Sequence, residues 1–379
     1  MHFSIFTMME ILKSEESVIQ FLEEVGLIPK MDVVVNCPLC RNRAYGVKNK
    51  ATKIGWRWVC SMKKKNGCSG SINPVKNTFL ENTRIPYRDV LAIIFGFVTK
   101  MKVTELHEEI SSWRARRGEA SISTETVIDY YCFCREIAEV YASHNSSKLG
   151  GPGKSILIDE TFLTKRKYNR GRRSAQNTQV VLGIYCREDK EGLFFLVNGK
   201  SKRDLWPRIK KHCHPETEVI YTDSAKQYLR VEQLFNDDTR HEKTNHRAGQ
   251  FVHPLNPANT INDLENENKH FKKSLINRRS PKALQQYMAL HYYRRSRLDN
   301  LKSKGEKIQR FLDDIISVYP GYGKDGLALL EIDAPTPASE GIEHLMPPEK
   351  RRNIQEEISE DDAITYLDDP EGDPDWDDY

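Results

Sequence analysis

Apolar residues recur at helical spacing in four stretches that precede residue 149. These stretches are residues 8–27, 87–103, 103–110 and a run that begins after an N-cap at Ser123 or Thr124. The first predicts an N-terminal helical segment within residues 1–30. The other three predict a helical DNA-binding region over residues 81–148. Two short helices followed by a capped third helix are typical of a helix-turn-helix, although any small three-helix core has the same pattern.

After Gly150-Gly-Pro-Gly153 the apolar pattern becomes that of β-strands. Three strands are followed by a helix, a strand, a helix, a short strand near Lys243 and two late helices. Apart from the short strand near Lys243, these elements cover, in chain order, residues 156–158, 180–185, 193–197, 202–212, 219–222, 225–235, 263–275 and 281–298. This is the order of the ribonuclease H-like fold, a mixed α/β sheet with helices on its faces. We predict such a domain over residues 149–300 and a helical extension over residues 301–330.

Two aspartates end predicted strands, because Asp159 follows Ser155-Ile-Leu-Ile and Asp223 follows Val219-Ile-Tyr-Thr. In the ribonuclease H-like order the first and fourth strands are neighbours, so the two carboxylates would meet at one end of the sheet. A third acidic cluster, Asp263-Leu-Glu265-Asn-Glu267, opens a later helix. Mg²⁺ prefers oxygen ligands, and a pair of such ions suits phosphodiester chemistry. The pattern therefore predicts a two-metal site.

The charge of the chain is divided unequally along its length. Residues 331–379 carry 17 acidic and 3 basic side chains, whereas the preceding 330 residues carry 55 basic and 37 acidic ones. The basic part favours binding to a phosphate backbone. The acidic part also contains several prolines and few apolar residues, which predicts a disordered tail.

Four of the eight cysteines lie close together near the N-terminus, with the spacing C-x2-C-x19-C-x7-C. Cys37, Cys40, Cys60 and Cys68 therefore predict a structural zinc site in a zinc ribbon over residues 31–80. Trp56, Trp58 and the neighbouring basic residues would suit DNA contact, and a solvated basic loop is the alternative. The sequence contains no long apolar run and no signal-peptide pattern, so we expect no contact with a membrane.

Several motifs together resemble the catalytic core of Merlin-type DDE transposases, the eukaryotic relatives of bacterial insertion-sequence transposases. They are Leu149-Gly-Gly-Pro-Gly-Lys154, Ile156-Leu-Ile-Asp-Glu160, Lys165-Arg-Lys-Tyr-Asn-Arg-Gly-Arg172 and Thr222-Asp-Ser224. The cysteine set, Asn77-Thr-Phe-Leu-Glu81 and Val127-Ile-Asp-Tyr-Tyr-Cys-Phe-Cys-Arg135 also resemble the zinc ribbon and helical region of this family. The similarity covers roughly residues 35 to 300.

The resemblance implies a cut-and-paste transposase that uses two Mg²⁺ or Mn²⁺ ions. Asp159 and Asp223 would be the first two metal ligands. The third belongs to a family pattern Ile-Glu-Asn-x-Trp-x-x-x-Lys, which Leu264-Glu-Asn-Glu-Asn-Lys-His-Phe-Lys272 fits with Glu265 as the acid and Asn268 in place of Trp. An ungapped alignment instead favours Asp263, and a lost or relocated acid is the remaining alternative.

Two groups of residues are expected to contact DNA. The first is a basic loop between the first two strands, consisting of Lys165, Arg166, Lys167, Tyr168, Arg170 and Arg172. The second is one face of the helix that carries Glu265, with Lys269, Lys272 and Lys273. A solvated turn and a solvated helix face are the respective alternatives.

Three functions remain open at this point. The first is a transposase that acts on terminal inverted repeats and target DNA as a homo-oligomer, in the nucleus of a eukaryotic host. The second is a domesticated DNA-binding protein without catalysis, for which the missing Trp and the acidic tail would be signs. The third is a structure-specific nuclease of the same fold.

Overall fold

The computed structural model describes residues 5–145, 148–163, 180–244, 262–275 and 281–322. The chain divides into two compact units, one made of residues 1–140 together with 301–379 and the other of residues 141–300. The acidic tail predicted for residues 331–379 lies outside the described residues. None of the helices in the described part is long and apolar enough to cross a membrane.

The first unit begins with two helices, α1 (Ile5–Ile11) and α2 (Glu15–Val25), followed by an antiparallel sheet. The sheet has the order β1-β2-β3-β4, and its strands are β1 (Val35–Asn36), β2 (Arg43–Lys48), β3 (Trp56–Cys60) and β4 (Ser71–Ile72). A single helical turn, α3 (Lys63–Asn66), lies between β3 and β4.

Trp56 and Trp58 pack in the core of this unit, in contrast to the predicted role in DNA contact. Both side chains are buried, and their ring centroids are 5.2 Å apart. The indole nitrogen of Trp58 donates a hydrogen bond of 2.7 Å to the carbonyl oxygen of Val33. Burial follows from strand alternation, which turns positions 56, 58 and 60 of β3 to the covered face.

Four further helices lie in the described part of the first unit, and they are α4 (Tyr87–Val98), α5 (Val103–Ala115), α6 (Thr124–Asn145, which continues into the second unit) and α10 (Lys304–Val318). α4 ends five residues earlier than predicted, near Lys100, whose backbone has the left-handed φ of 65°. At α6, the Ser123 hydroxyl accepts the amide of Thr126, as an N-cap residue does. α10 packs against α4 through Phe97 and Phe311, whose ring centroids are 5.4 Å apart.

The second unit contains a five-stranded mixed sheet with the order β7-β6-β5-β8-β9. Its strands are β5 (Ser155–Phe162), β6 (Val180–Cys186), β7 (Glu191–Val197), β8 (Val219–Asp223) and β9 (Arg240–Thr244). β5, β6 and β7 are antiparallel, whereas β8 runs parallel to β5 and β9 runs parallel to β8. The mixed α/β sheet and the adjacency of its first and fourth strands are thus as predicted from the sequence.

The helices of the second unit are α7 (Lys202–His212), α8 (Asn262–Ser274) and α9 (Pro281–Tyr293), which continues into a π-helical turn over Arg294–Leu298. The prediction of one helix over residues 225–235 is wrong. Two 3₁₀ turns, Lys226–Tyr228 and Val231–Leu234, occupy this segment. They are separated by Arg230, whose φ of 65° a continuous right-handed helix cannot accommodate.

Alternation along the strands gives the sheet two different core faces. Ile156 and Ile158 of β5 pack with Leu205 of α7 and with the 3₁₀ turns on one face. Leu157 of β5 points to the other face and packs against Leu264 of α8. Asp159 has the same parity as Leu157, so its carboxylate lies on the α8 face.

Leu264→Ala should destabilise the second unit, because Leu264 is fully buried against β5 and β8. Removing this side chain leaves a cavity, so we expect a loss of about 2–5 kcal/mol in the free energy of unfolding. Urea denaturation followed by circular dichroism would measure it. Lys273→Ala on the exposed side of the same helix is the matched control and should change the stability by no more than about 0.5 kcal/mol. Equal effects of the two substitutions would contradict this packing.

Candidate functional site

Asp159 and Asp223 lie side by side on adjacent parallel strands. The register pairs Ile158 of β5 with Thr222 of β8, and the two aspartates are the next residues on their strands. Both are partly buried. Leu157 and Tyr221 pack on the α8 face of the sheet. Asp159 and Asp223 each follow one of these residues by two positions, so both carboxylates point toward the same face.

Burial and neighbouring negative charge raise the pKa of Asp159 to about 7. Desolvation contributes most, and the carboxylates of Glu160 and Asp223 add to it. A cation placed between Asp159 and Asp223 would relieve this repulsion, as carboxylate pairs that hold Mg²⁺ do.

Asp223 also closes the turn that follows β8. Its Oδ1 accepts the backbone amide of Ala225 at 3.0 Å. The next helical turn is the 3₁₀ turn that starts at Lys226.

α8 crosses the sheet directly above Asp159. Gly183 of β6 is in register with Asp159, and a Cβ atom added to Gly183 would come within 3.1 Å of Leu264 and 3.3 Å of the Asn268 amide oxygen. The absence of a side chain at Gly183 therefore permits the close approach of the helix. The Nδ2 atom of Asn268 lies 3.5 Å from Oδ2 of Asp159.

Asn268 is the site residue whose role the sequence did not predict. Its side chain is buried, and its Oδ1 has no hydrogen-bond partner among the described residues. The only sequence signal was its position in the family pattern, where it replaces Trp. That position gave no indication of a contact with Asp159, because the contact depends on how α8 is rotated above the sheet.

The three acidic residues of α8 have different surroundings. Asp263 forms an ion pair of 2.9 Å with Arg187, which follows β6 and lies four residues beyond Gly183, the residue in register with Asp159. Glu267 is buried on the flank of α8 that faces β7, where its Cγ would lie 3.7 Å from a Cβ at Gly192. Glu265 is half-buried and precedes Asn268 by three residues, so the two share one side of the helix.

Glu267 is neutralised by two basic partners from α9 and the π-helical turn. His291 Nε2 and Arg295 contact its two carboxylate oxygens, each at 2.8 Å. Burial alone would raise the pKa of Glu267, but the hydrogen bonds and charges of His291 and Arg295 outweigh it and lower the pKa. Through these bonds Glu267 joins α8 to α9 and to the π-helical turn that follows α9.

The expected DNA-contacting residues are described only in part. Lys269 and Lys273 are exposed on α8, and Lys272 is half-buried. Lys269 and Lys272 follow Glu265 by four and seven residues, which places them on its side of the helix. The basic loop with Lys165, Arg166, Lys167, Tyr168, Arg170 and Arg172 lies outside the described residues.

The four N-terminal cysteines come together in the first unit. Cys37 and Cys40 lie between β1 and β2, Cys60 ends β3, and Cys68 precedes β4. Three of their sulfur pairs are separated by 3.3–3.8 Å, and all four sulfur atoms lie within 4.8 Å of one another. A tetrahedral site with Zn–S bonds of about 2.3 Å requires sulfur separations of about 3.8 Å. The cluster can therefore hold a structural zinc ion.

Local structure explains the unusual spacing of the second cysteine pair. The helical turn α3 occupies most of the seven residues between Cys60 and Cys68. Gly70 gives the sulfurs room, since a Cβ atom there would lie 2.3 Å from Cys37 Sγ. The backbone amide of Asn42 lowers the pKa of Cys40 to about 6, whereas burial raises that of Cys60 to about 12.

One family model matches a segment of the second unit. Residues 148–296 match the family model of the ISXO2-like transposase domain. This segment contains the five-stranded sheet with α7, α8 and α9. The match supports a DDE transposase family for this part of the chain. No curated protein matches the chain.

Purified protein should contain about one zinc ion per chain. Cys60→Ser should lose it because a ligand is removed, and Gly70→Ala should bind it more weakly because the added methyl group would displace the Cys37 sulfur. Elemental analysis by mass spectrometry measures the zinc content. Cys132→Ser, which alters a cysteine of α6 outside the cluster, should keep its zinc. Full zinc content in Cys60→Ser would contradict the assignment.

Asp159→Asn should stabilise the protein when no Mg²⁺ or Mn²⁺ is added. Folding raises the pKa of Asp159 from 3.8 to about 7, so the ionised side chain opposes folding. This cost is absent below about pH 4, grows as the pH rises to about 7 and is then constant. At pH 8 the variant should melt at least roughly 2–4 °C higher, the shift that each kcal/mol produces in a domain of this size.

Differential scanning fluorimetry of the wild type and the variant between pH 4 and pH 8 measures this difference. The control is Asp237→Asn, which removes an exposed carboxylate and should have no such effect. If the difference in melting temperature between Asp159→Asn and the wild type does not grow with pH, folding does not raise the pKa of Asp159.

Proposed function

We propose that the protein is a metal-dependent DDE transposase that cuts at transposon ends and joins them to target DNA. The observation that supports this most is the pairing of Asp159 and Asp223 beneath α8, within the segment that matches a transposase domain. The strand order, with three antiparallel strands followed by two parallel ones, supports a ribonuclease H-like catalytic domain.

Asp159, Asp223 and Glu265 are the residues proposed to hold Mg²⁺ or Mn²⁺. Two such ions supply activation of the attacking oxygen and stabilisation of the leaving oxygen in phosphodiester hydrolysis and strand transfer. The partly buried aspartates would hold their charge in a site with little water, where attraction to a cation is strong. Asn268 would restrict the orientation of Asp159 from the α8 side.

Glu265 is our choice for the third acid on the basis of its surroundings. Asp263 forms an ion pair with Arg187, and Glu267 forms ion pairs with His291 and Arg295. Glu265 is half-buried and shares a side of α8 with Asn268, whose amide nitrogen lies 3.5 Å from Asp159 Oδ2. Its position in the Leu264–Lys272 pattern supports the same choice.

The remaining proposals concern partners and classification. The basic body of the chain, the zinc ribbon and the helices over residues 81–148 would bind terminal inverted repeats. Lys269, Lys272, Lys273 and the basic loop of residues 165–172 would contact DNA near the metals. The resemblance favours a Merlin-type enzyme that acts as a homo-oligomer in the nucleus.

A domesticated DNA-binding protein without catalysis is the second candidate. Asn268 favours it, because the family's Trp beside Asp159 is replaced by a buried amide whose oxygen has no hydrogen-bond partner within the described part of the chain. The intact pair of Asp159 and Asp223 favours the active enzyme, since a pair of charged groups held together against their repulsion has no evident use in a purely DNA-binding protein.

The function is tested by incubating the full-length protein with DNA that carries the sequences flanking its own gene, with Mg²⁺ or Mn²⁺. We expect cleavage at the element ends that Asp159→Asn abolishes. Glu265→Gln should reduce cleavage by more than the roughly 10–100-fold typical of losing an outer-shell partner of a metal. Asp263→Asn and Glu267→Gln are matched controls on the same helix and should reduce it less.

Two results would count against parts of this proposal. Specific binding of the end sequences without cleavage, in the wild type and in Asp159→Asn alike, would favour the domesticated protein. Loss of cleavage in Asp263→Asn but not in Glu265→Gln would move the third ligand to Asp263.

A further inference from the structure

Glu160 follows Asp159 in β5, but its carboxylate lies on the opposite face of the sheet. Neighbouring side chains of a strand alternate, so Asp159 points toward α8 and Glu160 toward the core beneath α7. The Glu160 side chain is only 2% exposed. A carboxylate at such a depth is costly unless every oxygen is paired, which makes its partners informative.

Three side chains bind the Glu160 carboxylate. The Tyr228 hydroxyl donates to Oε1 at 2.5 Å, and the Lys200 ammonium group donates to Oε2 at 3.1 Å. The amide nitrogen of Gln227 lies 3.1 Å from both oxygens. Tyr228 is itself fully buried, and its proximity to Glu160 contributes to a pKa well above the ordinary tyrosine value, after the larger effect of burial.

Two of these partners belong to the segment that follows Asp223. Gln227 and Tyr228 form the 3₁₀ turn that begins three residues after Asp223. The same segment has other attachments, because Ser224 Oγ donates to the Thr244 carbonyl and Trp206 Nε1 donates to the Gln227 carbonyl, both at 3.0 Å. Glu160 thus attaches this segment to β5 through hydrogen bonds.

We propose that Glu160 is a positioning residue for the divalent-cation site. By binding Gln227 and Tyr228 it holds the turn after Asp223 against the strand that carries Asp159, and this sets the separation of the two carboxylates. The inference rests on the proposed function only in requiring that Asp159 and Asp223 bind a divalent cation. Groups that orient metal ligands in this way typically affect metal affinity by about 10–100-fold.

The test is a titration of the full-length, zinc-containing protein with Mn²⁺, in which electron paramagnetic resonance measures free Mn²⁺. Glu160→Gln should weaken Mn²⁺ binding by about 10–100-fold. Tyr228→Phe removes one hydrogen bond to Glu160 without changing the charge, and it should weaken binding by roughly 2–10-fold. Because Tyr228→Phe keeps the Glu160 charge, its effect on Mn²⁺ affinity separates positioning from electrostatic attraction.

Glu188→Gln is the matched control. Glu188 accepts hydrogen bonds from the backbone amide and hydroxyl of Ser155 at 2.8 and 2.7 Å, at the other end of β5. Its contact with β5 is roughly 13 Å along the strand from Asp159. This variant also loses one negative charge and hydrogen bonds to β5, so it should lower the melting temperature while Mn²⁺ affinity stays unchanged.

The outcomes separate this inference from the proposed function. If Asp159→Asn binds Mn²⁺ as tightly as the wild type, the metal site itself is wrong. If Asp159→Asn loses binding while Glu160→Gln and Tyr228→Phe keep it, Glu160 serves only the core and the inference is overturned. Weakening by Glu160→Gln alone would also overturn it, because the effect would then be one of charge. If Glu160→Gln fails to fold, Tyr228→Phe alone decides.

Discussion

The parallel pairing of β5 with β8 is the constraint on which the proposed site depends. It places Asp159 and Asp223 at the same level of two strands that are hydrogen-bonded to each other, with both carboxylates on the α8 face. The burial of Asp159 and its repulsion by the Glu160 and Asp223 carboxylates raise its pKa to about 7, so its ionised form opposes folding. Carboxylates whose pKa is shifted in this way are concentrated at the functional sites of proteins.

The two faces of the sheet carry different contacts next to this pair of aspartates. On the α8 face, Gly183 allows the helix to approach until Asn268 reaches Asp159. On the α7 face, the buried carboxylate of Glu160 gathers Lys200, Gln227 and Tyr228. Because Asp159 and Glu160 are neighbours in one strand, the backbone of β5 links the hydrogen-bonded core on one face to the carboxylate pair on the other.

The cysteine cluster applies a different constraint to the first unit. Its short β-strands bring four thiols within 4.8 Å of one another, and the turn α3 and Gly70 adjust the chain around them. Small sheets of this kind bury little apolar surface, so a bound metal contributes directly to folding. The buried side chains of Trp56 and Trp58 fill the core of this unit and so also stabilise its fold.

Local patterns in the sequence determined the strands of the second unit and most helices, the cysteine set and the positions of both aspartates, because these depend on periodicity and spacing. The tertiary structure decided which side chains of α8 face the sheet, that Glu267 is paired with His291 and Arg295, and that Glu160 is buried. It also placed Trp56 and Trp58 in the core. The rotation of a helix and the burial of a side chain depend on partners that are distant in the chain, and no local pattern records them.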